Sequence, residues 1–467
     1  MIALSLSEVA QITGGALHDV PDPAVRLAGA AASDSREVEP GGLFAAIKGD
    51  RVDGHDFAAR AVADGAACVL ASRPVGVPAV VVGDVTAALG TLAREAARRI
   101  GDPLVIGLTG SSGKTTTKDM LAQVLAVHGP TVATPRSLNT EIGLPLTVLG
   151  AEEDTRFLVL EMGARGIGHI AYLTGLVPPH VGLVLNVGTA HVGEFGSRAA
   201  IARAKGELVE ALPGAGSGGL AVLNADDDMV AAMAGRTTAR VLLYGRSARA
   251  GVRADDVVTG ADGRPRFTLH AGGESARVSL RFLGEHQVSN ALGAAAVAYG
   301  AGMAVPLIAE ALSAARPVAP GRLEVTERPD GVTVVNDAFN ANPDSVAAAL
   351  RTLAAMSAGR RTVAVLGEMA ELGDATREGH EQAGRLAADL GIDVLVTVGG
   401  EYAALTAGAA RSRGGRLSVV EVPDAAAALE ALRGIVSPGD VVLAKASHSM
   451  NFEDLAVTLA AAGSPSD

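Results

Sequence analysis

Cysteine and aromatic residues are scarce in this chain of 467 residues. Cys68 is the only cysteine, so no disulfide can form within the chain, and nothing points to an oxidising compartment. Tryptophan is absent, and four tyrosines with eight phenylalanines provide few rings on which nucleic-acid bases could stack. We therefore expect neither a disulfide-stabilised fold nor a base-stacking surface.

Positive charge is also in short supply. The chain has 39 Lys and Arg against 51 Asp and Glu, so its formal net charge of -12 offers no basic field to nucleic acid or an anionic membrane. Its first residues, MIALSLSEVAQITGG, lack the positive start of a secretion signal. The charge-free run 291–309 is mostly Ala and Gly and contains Pro306, which favours a packed helix over a membrane span. We expect a cytoplasmic protein without membrane insertion or nucleic-acid binding, and a monomer.

Short apolar runs alternate with amphipathic helical patterns along most of the chain. This alternation predicts an α/β fold with parallel sheets and crossover helices. At about 150 residues per domain, the length suggests roughly three domains. Gly and Pro interrupt the pattern in RRIGDPLVIGLTG and in ARPVAPGRLEV, so we predict domains at 1–100, 101–316 and 317–467.

The segment IGLTGSSGKTTTKDM, residues 106–120, has the pattern of a strand, a glycine turn and a helix. The strict phosphate-loop motif has glycine where this chain has Leu108, but that position belongs to the strand end rather than to the part that touches phosphate. The turn's backbone N–H groups and the helix N-terminus favour an anion, Lys114 can reach terminal phosphates, and Thr115 can bind Mg²⁺. The predicted nucleotide-binding residues are Thr109, Gly110, Ser111, Ser112, Gly113, Lys114, Thr115 and Thr116. The loop alone does not distinguish a kinase, a GTPase, a motor ATPase or a ligase.

Two more apolar runs end in candidate ligands. Glu161 ends the strand-like RFLVLE, and His191 follows VGLVLNV. Since the carboxyl ends of parallel strands share one sheet edge, both side chains could meet Thr115 around a metal ion. The alternatives are a salt bridge from Glu161 to Arg165 and a histidine that caps a turn. Lys205, on an amphipathic helical pattern, is by this reasoning a solvated lysine.

Several segments together resemble the Mur ligase family of peptidoglycan synthesis. In the middle of the chain they are TGSSGKTTTK, SLNTEIGLPLT, EMGARGIGHI, NVGTAHVGEFGSRAAIARAKGEL and LNADDD. Outside it they are DSREVEPGGLFAAIKG, DGHDF, GEHQVSNALGAAA, PGRLEV, NDAFNANPDS and VLGEMAELG. They follow the family order over nearly the whole chain, which makes the resemblance specific.

The resemblance implies three domains: an amino-terminal UDP-binding α/β domain, a central P-loop ATPase domain with a mostly parallel sheet, and a carboxyl-terminal Rossmann-like domain. It implies an ATP-dependent ligase that joins D-alanyl-D-alanine to UDP-N-acetylmuramoyl-tripeptide through an acyl phosphate and releases ADP and phosphate. Family members that add a single diamino acid carry a D-N-P-R motif, and this chain has NANPDS there instead. That reaction remains the alternative.

The resemblance also assigns roles around the loop. Lys114 would hold the β- and γ-phosphates, Thr115 and Glu161 would bind one Mg²⁺, and His191 would help to bind a second. Lys205 matches a lysine that is carbamylated in the family, and a carbamate would supply oxygen ligands for Mg²⁺. The implied catalytic residues are therefore Lys114, Glu161, His191 and Lys205.

Other matches lie nearer the ends of the chain. Asn290 and Arg322 match nucleotide contacts, although a helix N-cap and an interdomain ion pair are alternatives for them. Further matches are the ATP-closing residues Asp337, Asn340 and Asn342, and the UDP-substrate residues Ser33, Asp34, Ser35 and Arg36. A serine-rich turn can equally cap a helix.

One segment departs from the family pattern. The family's K-G-S-R is KASHSM here, with Ala446 and His448 in place of glycine and arginine. This departure leaves open an ATP-binding family member that lacks ligase activity.

Overall fold

The computed structural model describes residues 2–49, 51–190 and 192–462. In these ranges the chain forms three α/β domains, each with its own sheet. The first sheet has the order β1-β5-β4-β3-β2, and only β1 runs antiparallel to its neighbour. Its domain comprises α1 Leu6–Thr13, β1 Ala16–His18, β2 Ala31–Ala32, β3 Leu43–Ala45, α2 Ala58–Ala63, β4 Cys68–Ala71, β5 Ala79–Val81 and α3 Val85–Arg99.

The middle domain has the largest sheet, in the order β14-β13-β12-β11-β10-β9-β6-β8-β7. Strands β7 to β12 pair in parallel around β6, and β12, β13 and β14 form an antiparallel extension. Its strands are β6 Leu104–Thr109, β7 Thr131–Ala133, β8 Phe157–Glu161, β9 Val181–Val184, β10 Leu220–Asn224, β11 Arg240–Gly245, β12 Val252–Thr259, β13 Pro265–Ala271 and β14 Glu274–Ser279. Its helices are α4 Lys114–Ala126, α5 Gly143–Leu149, α6 His169–Leu176, α7 Val192–Phe195, α8 Arg198–Glu210, α9 Asp228–Ala231, α10 Gln287–Gly300 and α11 Val305–Ala314.

The third sheet has the order β15-β16-β20-β17-β18-β19, in which only β15 is antiparallel to its neighbour. Its domain comprises β15 Glu324–Glu327, β16 Thr333–Asn336, α12 Pro343–Ala355, β17 Thr362–Leu366, α13 Thr376–Asp389, β18 Val394–Val398, α14 Glu401–Ser412, β19 Ser418–Val422, α15 Ala425–Ile435, β20 Val441–Lys445 and α16 Phe452–Ala461. Helices flank this sheet and bury apolar side chains on both of its faces.

The first and middle domains share one hydrophobic cluster, in which α3 packs against α5 and α6. Leu92 of α3, Leu149 of α5 and Leu176 of α6 are buried in it. At Gly90 the helices approach so closely that a Cβ atom would lie 2.7 Å from Cδ2 of Leu176. A larger residue at this position would therefore require the Leu176 side chain to shift.

None of the helices in the described ranges is both long enough and apolar enough to cross a membrane. The charge-free run 291–309 covers most of α10, the turn after it and the first half of α11, and both helices are largely buried against the middle sheet.

Candidate active site

The turn between β6 and α4 has free backbone donors. Gly113 precedes the helix in the left-handed region, with φ of 81°, and provides no side-chain cap. Within the described residues, the amide N–H groups of residues 113–116 have no hydrogen-bond acceptor. Four unsatisfied donors at a helix N-terminus form an anion-binding site of the size of a phosphate group.

Lys114 is the first residue of α4 and bends back over the turn. Its Nζ donates a 2.9 Å hydrogen bond to the carbonyl oxygen of Gly110. Burial among protein atoms lowers the pKa of Lys114, although the side chain keeps partial access to solvent; Glu161 acts in the opposite direction, and Arg322 adds to the lowering. An anion beside Lys114 would restore a favourable partner for its charge.

Glu161 ends β8 directly beside Leu108 of β6 and is only 1% exposed. Its Oε1 accepts a 2.7 Å hydrogen bond from Nδ2 of Asn139, whereas Oε2 is buried without a hydrogen-bond partner. The expected alternative, a salt bridge to Arg165, is absent from the described residues. A buried carboxylate oxygen without a partner is costly unless a cation or a donor occupies its site.

The hydroxyl of Thr115 lies 3.3 Å from Oγ of Ser137 in the same cleft. No group of three or more His, Cys, Asp or Glu side chains with metal-site geometry occurs in the described ranges. The donors present, a carboxylate and a hydroxyl, fit Mg²⁺ of the kind that completes its coordination with substrate phosphates and water.

Lys205 of α8 is 4% exposed, so the expectation of a solvated lysine is wrong. The helix packs this face against β6 and β9, which carries the side chain into the cleft rather than into solvent. Lys205 forms neither a hydrogen bond nor an ion pair with any described residue. Burial, followed by the charge of Lys114, lowers the pKa of Lys205 well below its ordinary value. The lowered pKa favours the neutral, nucleophilic form of the amine.

The third domain forms the opposite wall of the cleft. Nζ of Lys445 contacts Oδ2 of Asp337 at 2.5 Å and the carbonyl oxygen of Asn340 at 2.9 Å. The Arg322 guanidinium lies 4.2 Å from the ring centroid of Phe339, and its buried Nε has no hydrogen-bond partner. The alternative of an Arg322 ion pair is therefore not found among the described residues.

Two side chains join this wall to the middle domain. Nδ2 of Asn342, which caps α12, donates to Oγ of Ser112 at 3.3 Å. Oδ2 of Asp344 accepts hydrogen bonds from the backbone N and Oγ1 of Thr189 at 3.1 and 3.3 Å. The result is a shared cleft of about 1210 Å³ between the middle and third domains.

Family comparison agrees with this three-part architecture. The family model described as Mur ligase middle domain matches residues 108–298, the Mur ligase, glutamate ligase domain matches 321–448, and the Mur ligase family, catalytic domain matches 32–103. A UDP-N-acetylmuramoyl-tripeptide--D-alanyl-D-alanine ligase of Mycobacterium tuberculosis is 48% identical over 504 residues, which cover 99% of this chain and 98% of the relative. The chain belongs to the Mur ligase family.

Solved structures resemble this Mur ligase over nearly its whole length. MurF from Acinetobacter baumannii is 32% identical, with a TM-score of 0.86 over 98% of this chain and 99% of that chain. MurF from Thermotoga maritima in complex with ADP is 30% identical, with a TM-score of 0.79 over 94% and 98% of the two chains. The predicted three-domain α/β fold is confirmed.

Most of the predicted site residues of this Mur ligase line the one cleft. These are Ser111, Ser112, Gly113, Lys114, Thr115, Thr116, Glu161, Lys205, Asn290, Arg322, Asp337, Asn340 and Asn342. Thr109 and Gly110 lie beneath the loop, and the Thr109 hydroxyl donates to the carbonyl oxygen of Met162 at 2.9 Å. His191 lies outside the described residues, so its role stays a prediction.

Asn290 is not the N-cap of α10, because that position belongs to His286. Asn290 instead lies inside the helix, is buried, and donates from Nδ2 to Oε1 of Gln287 at 2.8 Å. A Cβ atom on Gly113 would lie 2.5 Å from its Oδ1. The helix and the loop therefore touch here, which explains why this position needs glycine.

The predicted UDP-contact residues form a turn outside the cleft lining. Asp34 accepts a hydrogen bond from the backbone N of Arg36 and forms an ion pair with its guanidinium at 2.5 Å. Glu37 reaches Arg136 of the middle domain at 3.3 Å. The turn therefore lies close to the loop that carries Ser137 and Asn139, while its ligand contacts stay a prediction.

Some cleft residues were not singled out from the sequence, among them Asn139 and Asn186. Asn139 contacts Glu161, and Asn186 contacts the phosphate loop. Asn186 follows β9 closely, so the strand-end rule that identified Glu161 was a usable signal for it. Asn139 lies in a loop, and only the folded chain brings it to Glu161.

Proposed function

We propose that this Mur ligase joins D-alanyl-D-alanine to UDP-N-acetylmuramoyl-tripeptide, with ATP converted to ADP and phosphate, in peptidoglycan precursor synthesis. The reaction is the one in the name of its 48% identical relative. One observation carries the proposal. The free amides of residues 113–116 (the phosphate cradle), the unpartnered Oε2 of Glu161 and the buried Lys205 lie in one interdomain cleft. ATP and UDP-linked precursors are cytoplasmic molecules, so the reaction belongs in the cytoplasm.

The phosphate cradle would hold ATP. The amides of residues 113–116 and Lys114 would bind its β- and γ-phosphates, with Asn290, Arg322, Asp337 and Asn340 as the other nucleotide contacts proposed. Thr115 and Glu161 would bind one Mg²⁺, and His191 with a modified Lys205 would bind a second. Such ions would neutralise phosphate charge and orient the reacting groups.

The buried amine of Lys205 supports carbamylation. A neutral amine attacks the carbon of CO₂, a C–N bond forms, and the proton departs to water, which leaves an anionic carbamate. The modification converts an amine without a described partner into an oxygen donor, which Mg²⁺ prefers. The carbamate also places negative charge near Lys114. It thereby replaces the repulsion between two like charges, which lowers the pKa of unmodified Lys205, with an attraction.

The chemical difficulty is that an amine cannot expel oxide from a carboxylate. The terminal carboxylate of the tripeptide would attack the γ-phosphorus in line, the bond from that phosphorus to the bridging oxygen would break, and ADP would leave. Lys114 would stabilise the charge on the transferred phosphoryl group. The amine of the dipeptide would then attack the acyl carbon, phosphate would leave, and an amide would form. Water would hydrolyse the acyl phosphate, so the third domain must exclude it before transfer.

The first domain would bind the uridine nucleotide, with Ser33, Asp34, Ser35 and Arg36 as the proposed contacts. We further propose that the domains divide after residues 100 and 316. These positions fall in the short connections between α3 and β6 and between α11 and β15. The third domain would then deliver the amine from across the cleft.

Phosphate release tests the proposal directly. The purified enzyme receives ATP, Mg²⁺ and UDP-N-acetylmuramoyl-tripeptide, with D-alanyl-D-alanine in one reaction and single amino acids in the others. We expect release only with the dipeptide and one ligated product by mass. Release only with a single diamino acid would replace the dipeptide reaction by its alternative.

The segment KASHSM, which departs from the family's K-G-S-R, gives the same experiment a second possible outcome. His448 lies 5.8 Å from the ring of Phe339, the ring that also contacts Arg322. If ATP binds but no combination of muramoyl peptide and amine releases phosphate, the chain is an ATP-binding family member without ligase activity.

A further inference from the structure

Asn186 follows β9 and touches the phosphate loop with its whole carboxamide. Its Oδ1 accepts hydrogen bonds from the backbone N–H groups of Ser111 and Ser112 at 3.0 and 2.9 Å. Its Nδ2 donates to the carbonyl oxygen of Ser112 at 3.0 Å. One side chain therefore satisfies three backbone groups of the loop.

The segment that carries Asn186 is itself fastened. The backbone carbonyl oxygen of Asn186 accepts a hydrogen bond from the backbone N of Ser111 at 3.1 Å. The backbone N of Gly188 donates to Oγ of the same serine at 2.9 Å. Val187 N donates to Oδ2 of Asp227 at 2.8 Å. The carboxamide thus connects the loop to a strand end that cannot easily move.

The loop's amides divide into two sets. Ser111 and Ser112 donate to Asn186, whereas the amides of residues 113–116 have no acceptor among the described residues. Ordering a loop costs conformational entropy, and a loop that is ordered before its ligand arrives avoids that cost at binding. The fixed set would therefore hold the free set in a phosphate-ready shape.

We propose that Asn186 is a positioning residue of the nucleotide site, which presets the phosphate loop without touching the reacting atoms. The inference rests on the proposed function only in that the loop binds ATP. Binding can be measured without ligase turnover, so the two can fail separately.

Only a carboxamide has the required chemistry at this position. The loop presents two donors and one acceptor to it, and an amide offers the complementary acceptor and donor. Aspartate would keep the acceptor but lose the donor, and would add negative charge near the phosphates. Alanine would leave all three backbone groups without this partner.

Calorimetric titration with ATP and Mg²⁺ tests the proposal on the full chain, with the variants N186A and N186D. The matched control is N224A. Asn224 ends the neighbouring strand β10, where its carboxamide bonds Leu185 O at 2.8 Å and Asp226 N at 2.9 Å rather than the loop. The control therefore removes a strand-end asparagine without removing a loop contact.

We expect N186A to weaken ATP binding about 10- to 100-fold, and N186D to weaken it at least as much. N224A should bind ATP within about twofold of the parent even if its melting temperature falls. In the ligase assay, the KM for ATP should rise in N186A while the KM for the dipeptide stays close to the parent value. Backbone hydrogen exchange in the loop should accelerate in N186A and not in N224A.

Unchanged ATP affinity in N186A would overturn the proposal, as would an equal loss in N224A. Tighter binding in N186A would also overturn it, because the carboxamide would then compete with phosphate for the Ser111 and Ser112 amides. If the parent enzyme binds ATP but ligates nothing, the proposed function fails while the binding comparison remains decisive for Asn186.

Discussion

Asn139 donates a 2.7 Å hydrogen bond to one carboxylate oxygen of Glu161 and leaves the other oxygen without a partner. The bond fixes the orientation of a carboxylate that is almost fully buried. A carboxylate held in this way is prepared for a cation on its open side, since burial without a counter-charge is costly.

Glu161→Gln should reduce phosphate release in the complete reaction roughly 100-fold, because it keeps the size of the side chain but removes the charge that we propose binds Mg²⁺. Its melting temperature should stay the same or rise, since the orphaned oxygen no longer carries charge. Titrations of activity against Mg²⁺ measure the effect.

Glu207→Gln is a matched control for that variant. Glu207 is also buried, but its carboxylate accepts from the backbone N of Gly168 at 2.6 Å and of Ala171 at 3.0 Å and so caps α6. It should lose stability while its Mg²⁺ dependence stays unchanged. Equal Mg²⁺ responses in the two variants would remove Glu161 from the metal site.

Lys205→Met should raise the melting temperature by a few degrees at pH 7 in buffer free of CO₂. Because the folded-state pKa of Lys205 is depressed, the unfolded chain binds more protons between that pKa and the ordinary value of 10.5. Stability of the parent therefore rises with pH through this window, and the advantage of the variant should shrink as pH approaches 10.5.

Phosphate release can distinguish a carbamylated Lys205 from a lysine that is merely buried. Bicarbonate should raise phosphate release by the parent after CO₂ has been removed, and it should have no effect on Lys205→Met, which we expect to be nearly inactive. A parent enzyme indifferent to bicarbonate would argue against the carbamate.

Gly113→Ala should abolish detectable ATP binding. Alanine in the left-handed region costs about 1–2 kcal/mol, and here its Cβ would also lie 2.5 Å from Oδ1 of Asn290. Gly218→Ala is the control, because Gly218 has a φ of 84° but nothing within 4 Å of the added Cβ. Both variants should lose stability in thermal melts, and only Gly113→Ala should lose ATP in calorimetry. Normal ATP binding by Gly113→Ala would contradict the close packing of loop and helix.

Asp344→Ala should loosen the contact between the third and middle domains, because the carboxylate is the acceptor for two donors of Thr189. We expect the radius of gyration in solution scattering to increase, and kcat to fall about 3- to 10-fold as closure becomes less favourable. Glu430→Ala, at an exposed acidic residue of α15 that packs on neither of the other domains in the described ranges, should change neither quantity. Identical scattering profiles for parent and Asp344→Ala would show that this contact does not hold the domains together.

Local patterns predicted the parts of the site that local sequence controls. The strand, turn and helix around Lys114 follow from apolar periodicity and glycine placement, and the substitution at Leu108 is harmless because that residue lies inside β6. Glu161 was predictable because the carboxyl ends of parallel strands share an edge. These inferences need only neighbouring residues and the topology.

Lys205 shows where such reasoning stops. Its helix has a mixed face, and sequence alone could not tell that α8 would turn this lysine toward β6 and β9. The family resemblance assigned a role to Lys205 that its helical pattern did not. Asn139 and Asp344 contact residues far away in the chain, so they became apparent only from the folded arrangement.

The apolar packing of α3 on α5 and α6 has a mechanical consequence. One continuous hydrophobic cluster joins the first and middle domains, with Gly90 and Leu176 at their interface. The two domains should therefore move as one rigid unit. The third domain meets the cleft through side-chain hydrogen bonds at Asn342 and Asp344. The UDP-linked tripeptide and ATP would then both be bound by this rigid unit. The movement of the third domain, which would deliver the dipeptide, would set the timing of the reaction.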